Sequence, residues 1–360
     1  MNHRCLVSVS RLTIPMAVVL LATISVEGQA PSAAARMKSG AAKVYTAPRT
    51  VDGQPDLQGF WTNATYRPLE RPNNVTKEFY TEEEAAEAEK RAAVRESAGR
   101  QSEPGTVLDV HYDLTQFGLE RSQSMFAQNL RTSLIVDPRD GKLPPVTAEG
   151  QKRAADRAAA RRALGGQYDA VQNMPLSARC LIGAMSLGHD MESSGPPMLP
   201  QAYNSNYQIV QAPGYVMILI ELLHSARIIP LDGRPQASRN IRQWMGTSRG
   251  RWEGNTLVVE TTNFNGKNPF RGASENMHVT ERFTRVADNS ILYQFTVEDQ
   301  ATWIRPWTAE MPLHRIAGPL FEHACHEGNY GVSNSLAGAR TEEKRAAEEA
   351  AKKGLTKELK

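Results

Sequence analysis

Val279-Thr280-Glu281-Arg282-Phe283-Thr284-Arg285-Val286 and Ile291-Leu292-Tyr293-Gln294-Phe295-Thr296-Val297-Glu298-Asp299 flank the short stretch Ala287-Asp288-Asn289-Ser290. Apolar and polar side chains alternate in both arms, the period of two strands joined by a turn. Val279, Glu281, Phe283 and Arg285 share one face of the first strand, and Thr280, Arg282, Thr284 and Val286 the other. In the second strand Ile291, Tyr293, Phe295 and Val297 share a face, continued by Asp299 and Trp303, while Leu292, Gln294, Thr296 and Glu298 lie on the wetter side. Glu281 therefore sits among apolar neighbours. A carboxylate there is costly unless it is satisfied by Arg285 or a neighbouring strand, or belongs to a ligand or catalytic site.

The same period extends outward. Tyr207 to Gln211 and Tyr215 to Leu223 flank Pro213-Gly214; Arg227 to Leu231 ends at Asp232-Gly233; Arg251-Trp252-Glu253-Gly254-Asn255 turns into Thr256 to Phe264. Many short sequential strands predict a mainly β fold, an antiparallel barrel or sandwich, over residues 201–338. Residues 51–200 carry a first strand near Gly59-Phe60-Trp61, a short strand at Thr132 to Pro138 and a helical insertion. In that insertion Thr81-Glu82-Glu83-Glu84 is a capping box opening a helix to about Ala98. A second helix starts after Pro144-Pro145, capped by Thr147, and runs to Leu164 before Gly165-Gly166 stops it. Leu181 to Pro200 is loop-like, and residues 339–360 form a charged tail, helical or extended.

His3, Arg4 and Arg11 precede an apolar run from Leu12 to Val26. That is the pattern of a secretory signal peptide over residues 1–30, or to 35 if cleavage falls later, with residues 31–50 as a flexible leader. A periplasmic or secreted location follows. Cleavage removes Cys5 and leaves Cys180 and Cys325, which in an oxidising compartment predict one disulfide. The formal net charge of +3 is too small to argue for nucleic acid, and no later apolar run is long enough to span a bilayer as a helix.

Three groups of residues carry candidate chemistry. Glu221, His224 and Arg227 fall within one bend and supply an acid, an imidazole and a guanidinium, for proton transfer and anion holding or for a structural network. His323, His326 and Glu327 flank Cys325, with His189 and Asp190 near Cys180 in sequence, but the spacing matches no metal motif and no metal or cofactor is expected. Tyr215, Trp252, Phe283, Tyr293 and Trp303 fit the wall of a barrel mouth, with Asp299 orienting a ligand beside them.

The segments Pro55-Asp56-Leu57-Gln58-Gly59-Phe60-Trp61, Arg227 to Pro235, Gly250 to Thr261 and Cys325-His326-Glu327-Gly328-Asn329-Tyr330 resemble those of an abundant family of uncharacterised exported bacterial proteins. Gly59-Phe60-Trp61 is also similar to the lipocalin G-x-W near a first strand, which implies a barrel-like sheet, although the insertion from Thr81 to Leu164 departs from a compact lipocalin. The functions compatible with these features are a small-molecule-binding barrel using Arg227, Trp252, Tyr293, Asp299 and Trp303; a hydrolase or lyase using Glu281, His224, His326 and Glu327 in general acid-base catalysis; and a structural or interaction protein of the cell envelope.

Overall fold

A computed structural model describes residues 45–65, 67–98, 130–182, 195–200, 204–267 and 269–358. The expected signal peptide and His189-Asp190 lie outside them. Among the described residues no helix is long and apolar enough to cross a membrane.

Ten strands form one sheet: β1 (Gly59–Thr62), β2 (Ile135–Asp137), β3 (Asn206–Ala212), β4 (Tyr215–Ile220), β5 (Ser225–Pro230), β6 (Thr247–Glu253), β7 (Thr256–Thr262), β8 (His278–Ala287), β9 (Ser290–Glu298) and β10 (Trp307–Arg315). Nine follow the order β5-β4-β3-β1-β10-β9-β8-β7-β6, and β2 pairs beside this path with β10. Every pairing along the path is antiparallel. With an odd number of alternating strands, β5 and β6 at the two ends run parallel to each other, so the turn-sized link of a hairpin cannot join them. Residues 231–246 make the longer return. β5 and β6 nevertheless lie side by side, and the sheet forms a nearly closed barrel. A Cβ on Gly250 of β6 would stand 2.6 Å from Leu231 Cδ2 and 2.8 Å from Ile229 Cγ2. The absent side chain is what lets the two end strands meet.

Strand parity places the core as expected. Val279, Phe283, Ile291, Tyr293, Phe295 and Val297 are fully buried, joined by Trp307, Ala309, Met311 and Leu313 of β10. Phe283 and Tyr293 rings lie 4.9 Å apart, and Trp303 meets Trp307 edge-on at 5.8 Å, the offset and T-shaped geometries aromatic quadrupoles favour. Trp61 donates from Nε1 to the Leu57 carbonyl at 2.9 Å. Its ring faces two guanidinium groups, Arg285 at 5.9 Å and Arg315 at 5.6 Å. On the outer wall Arg251 pairs with Glu253 and Glu260, and Arg282 with Glu253; exposed pairs of this kind contribute little to stability.

Among the described residues three α-helices accompany the barrel: α1 (Glu82–Ala98), α2 (Ala148–Ala163) and α3 (Tyr330–Glu358). The capping box of α1 forms as the sequence predicts, with Glu84 N–H donating to Thr81 Oγ1 at 3.2 Å and Thr81 N–H to Glu84 Oε2 at 2.8 Å. Thr147 caps α2 by accepting from Gly150 N–H at 3.0 Å, and its hydroxyl donates to the Ala301 carbonyl at 2.8 Å. That second bond fastens α2 to the β9–β10 connection. The tail helix begins at Tyr330, earlier than residue 339.

Three expectations are corrected. The strand expected to reach Leu223 stops at Ile220, and Leu222–His224 form a 3-10 turn in which Leu223 (φ 60°) and His224 (φ 50°) adopt left-handed backbone. β6 begins at Thr247, within residues whose Ser, Arg and Gly content resembles a turn. β10 was not anticipated at all, because Pro312 interrupts its pattern. Pro312 sits between the stretch of β10 paired with β2 and the stretch paired with β1, where its missing N–H breaks no ladder bond to either.

Candidate functional site

The two ends of the barrel differ. One carries short hairpin turns at Pro213-Gly214, Gly254-Asn255 and Asp288-Asn289. The other gathers the long connections: the bend after β4, the β7–β8 loop, the β9–β10 loop and the segment Gly195–Pro200. Binding residues concentrate on such connections held by a rigid scaffold.

Just inside the loop-bearing end lies a buried polar layer. Arg227 of β5 crosses the interior to Glu281 of β8, with Nη1 donating to Oε1 at 3.0 Å and Nη2 to Oε2. The Tyr293 hydroxyl of β9 donates to Glu281 Oε1 at 2.8 Å. Ser248 Oγ accepts a long hydrogen bond of 3.5 Å from Arg227 Nη2 and lies 2.9 Å from Thr261 Oγ1. Arg227 is 4% and Glu281 0% exposed. Burial opposes the charge on Arg227, but the Glu281 carboxylate outweighs it and holds the guanidinium pKa above its ordinary value. Burial first, and then the neighbouring carboxylate, push the Tyr293 phenol well above its usual range. Burial likewise raises the pKa of Tyr207. Arg227 Nε, buried in the same layer, has no hydrogen-bond acceptor.

Gly195–Pro200 covers this layer. Met198 and Leu199 are fully buried, Met198 N–H donates to the Tyr293 hydroxyl at 2.9 Å, and the Met198 carbonyl accepts from Asn63 Nδ2 at 3.0 Å.

The trio Glu221, His224 and Arg227 does not converge. Glu221 Oε1 accepts from Asn204 and Asn206 side chains at 2.8 and 3.1 Å, and its Oε2 from Phe321 N–H at 3.0 Å. His224 Nε2 accepts the His323 N–H at 2.7 Å, which places the imidazole proton on Nδ1 and occupies the nitrogen a general base would use. Arg227 alone turns inward. Glu281 is paired with Arg227 rather than Arg285, which instead donates to the carbonyls of Asp56, Ala287 and Asp288.

His224 is brought together with His326, Glu327 and the disulfide around a small cleft of about 120 Å³. Cys180 and Cys325 are bridged, with Cα atoms 5.8 Å apart, as the cysteine arithmetic predicts. Among the described residues no group of three or more His, Cys, Asp or Glu side chains is arranged to hold a metal. Burial lowers the pKa of His323.

The aromatic wall is redistributed. Tyr293 belongs to the polar layer; Trp252 is half-buried on the inward face of β6, its Nε1 without an acceptor; Trp303, in the β9–β10 connection, is 2% exposed and packed into the core. Asp299 serves a turn: Oδ2 accepts from Ser274 N–H and Thr302 Oγ1, each at 2.6 Å, and Oδ1 from Ser274 Oγ at 2.8 Å and Ala301 N–H at 3.2 Å. Those four donors fill it, so a ligand-orienting role is not supported. Ser248, Thr261 and Tyr207 were missed, although parity with Gly250, Val259 and Ile209 marks all three as inward-facing. The cover at Gly195–Pro200 left no sequence signal, because nothing local distinguishes a plugging loop from an exposed one. No family model, no curated protein and no solved structure matches the chain.

Proposed function

We propose that this protein is an exported small-molecule-binding β-barrel, a member of the family whose motifs it carries, with its ligand site at the loop-bearing end. The observation supporting this reading is the Arg227 Nε donor, buried without an acceptor in the Arg227–Glu281–Tyr293 layer. An unmade hydrogen bond in a dry interior is costly, and a ligand with one accepting group and an apolar body would complete it against Met198 and the aromatic core. Binding requires Gly195–Pro200 to lift, breaking the Met198 bonds to Tyr293 and Asn63. The family motifs coincide with fold-defining positions: β1 beneath two guanidiniums, β5 with its following turn, the Gly250 seam, and the segment after Cys325.

The test is native mass spectrometry of chain purified gently from an exporting host, compared with its denatured mass. A co-purifying molecule that disappears in the Arg227→Met/Glu281→Leu double variant supports the proposal. A bare chain that also gains no thermal stability from a panel of fatty and aromatic acids removes it.

A further inference from the structure

The segment between β10 and α3 runs as a strap over the bend after β4. Its anchors are the Phe321 amide on Glu221, the His323 amide on His224, and the disulfide from Cys325 to Cys180. Asn329 adds a hydrogen bond to the Ala178 carbonyl at 3.0 Å. The disulfide lines the cleft that also holds His224 and His326, and the strap residues Glu322, His326 and Glu327 bordering it are exposed.

The two sulfurs are not equivalent. Cys180 is 8% exposed, sits in left-handed backbone at φ 55°, and its Sγ accepts from Asn329 Nδ2 at 3.4 Å. Cys325 is half-buried on the strap, the more exposed of the two. Exchange proceeds fastest when the attacked sulfur is accessible and the leaving thiolate is stabilised. Accessibility favours attack at Cys325, and the Asn329 donor favours departure of Cys180.

We propose that Cys180–Cys325 is a thiol–disulfide exchange site whose reductant is an extracytoplasmic dithiol. One thiolate of that dithiol attacks Cys325 Sγ, forming a mixed disulfide as the Sγ–Sγ bond breaks and Cys180 leaves as a thiolate hydrogen-bonded by Asn329. The second thiolate of the reductant then attacks its own sulfur in the mixed disulfide. The reductant ends as a disulfide and Cys325 is released as a thiolate, two electrons having passed to the protein; protons from water complete both thiols. The strap is then held by the Glu221 and His224 contacts and by Asn329, without a covalent tie.

The folded, full-length chain is treated with dithiothreitol in the absence of denaturant, alkylated and weighed. In parallel it is treated with glutathione, quenched in acid and mapped. Expected results are complete reduction without unfolding and a glutathione adduct on Cys325. Reduction that waits for urea, or an adduct on Cys180, overturns the proposal. Asn329→Ala sharpens the test: loss of the bond to the leaving sulfur slows native reduction about fivefold. An unchanged or faster rate, the result for a residue that merely pins the strap, overturns the assignment of Cys180 as leaving group.

Discussion

Arg227 and Glu281, 54 residues apart in sequence, meet across the barrel interior with both carboxylate oxygens engaged by one guanidinium. Neither strand neighbours the other in the sheet, so the pair ties the seam side of the barrel to the opposing wall.

Removing one partner strands a buried charge. Glu281→Ala is expected to destabilise by about 3–5 kcal/mol, whereas Arg227→Met/Glu281→Leu recovers most of the loss. Urea unfolding of the two single variants and the double variant reads this out; a double variant as unstable as Glu281→Ala would show that the pair stabilises beyond mutual neutralisation.

At the seam, Gly250→Val places carbon where Leu231 and Ile229 already sit. Overpacking there should cost about 1–3 kcal/mol, visible as a lower urea midpoint. An unchanged midpoint would mean that β5 and β6 separate freely.

Asp299→Ala leaves the donors of Ser274, Ala301 and Thr302 without their shared acceptor. A loss of about 3 kcal/mol is expected, with no change in affinity for any co-purifying ligand once temperature is lowered to keep the variant folded. Weakened affinity at full folding would return Asp299 to the binding site.

Acid should destabilise the protein. His314 and His323 are both lowered in pKa by burial from an ordinary value of 6.5. Below that value the unfolded chain binds protons that the folded chain refuses, so the imidazole contribution is fully present above about pH 6.5 and declines as pH falls toward the lowered folded values. Urea midpoints at pH 7.5 and 5.5 measure the decline, and His314→Gln should flatten it. Equal midpoints for the parent protein would contradict the burial of these rings.

The β8–β9 hairpin was legible because both arms alternate cleanly, and the caps at Thr81 and Thr147 because each hydroxyl immediately precedes a helical run and can accept from the amide three residues on. The disulfide followed from cysteine number once the expected signal peptide was read as directing the chain to an oxidising compartment. Glu281 was recognisable as an anomaly, but its partner was not: Arg285 is nearer in sequence and on the same face, while Arg227 becomes a neighbour through closure of the barrel. β10 was hidden by Pro312, whose tolerance depends on an interruption in the pairing of that strand's far side. The dispersal of Glu221, His224 and Arg227 into three directions arises from the left-handed turn at Leu223 and His224, a conformation uncommon outside glycine and least expected of the leucine.

Nine strands make a tube whose last two neighbours point the same way. Among the described residues no backbone hydrogen bond links β5 to β6, so this junction is held by side chains where every other wall is held by a ladder. Amide exchange should accordingly begin along this line, with the seam-facing N–H groups of β5 and β6 losing protons to solvent while those of β8 and β9 stay protected until the whole molecule unfolds. In mechanical terms the barrel is a split ring, and the Arg227 crossbar sets how far the split can spread.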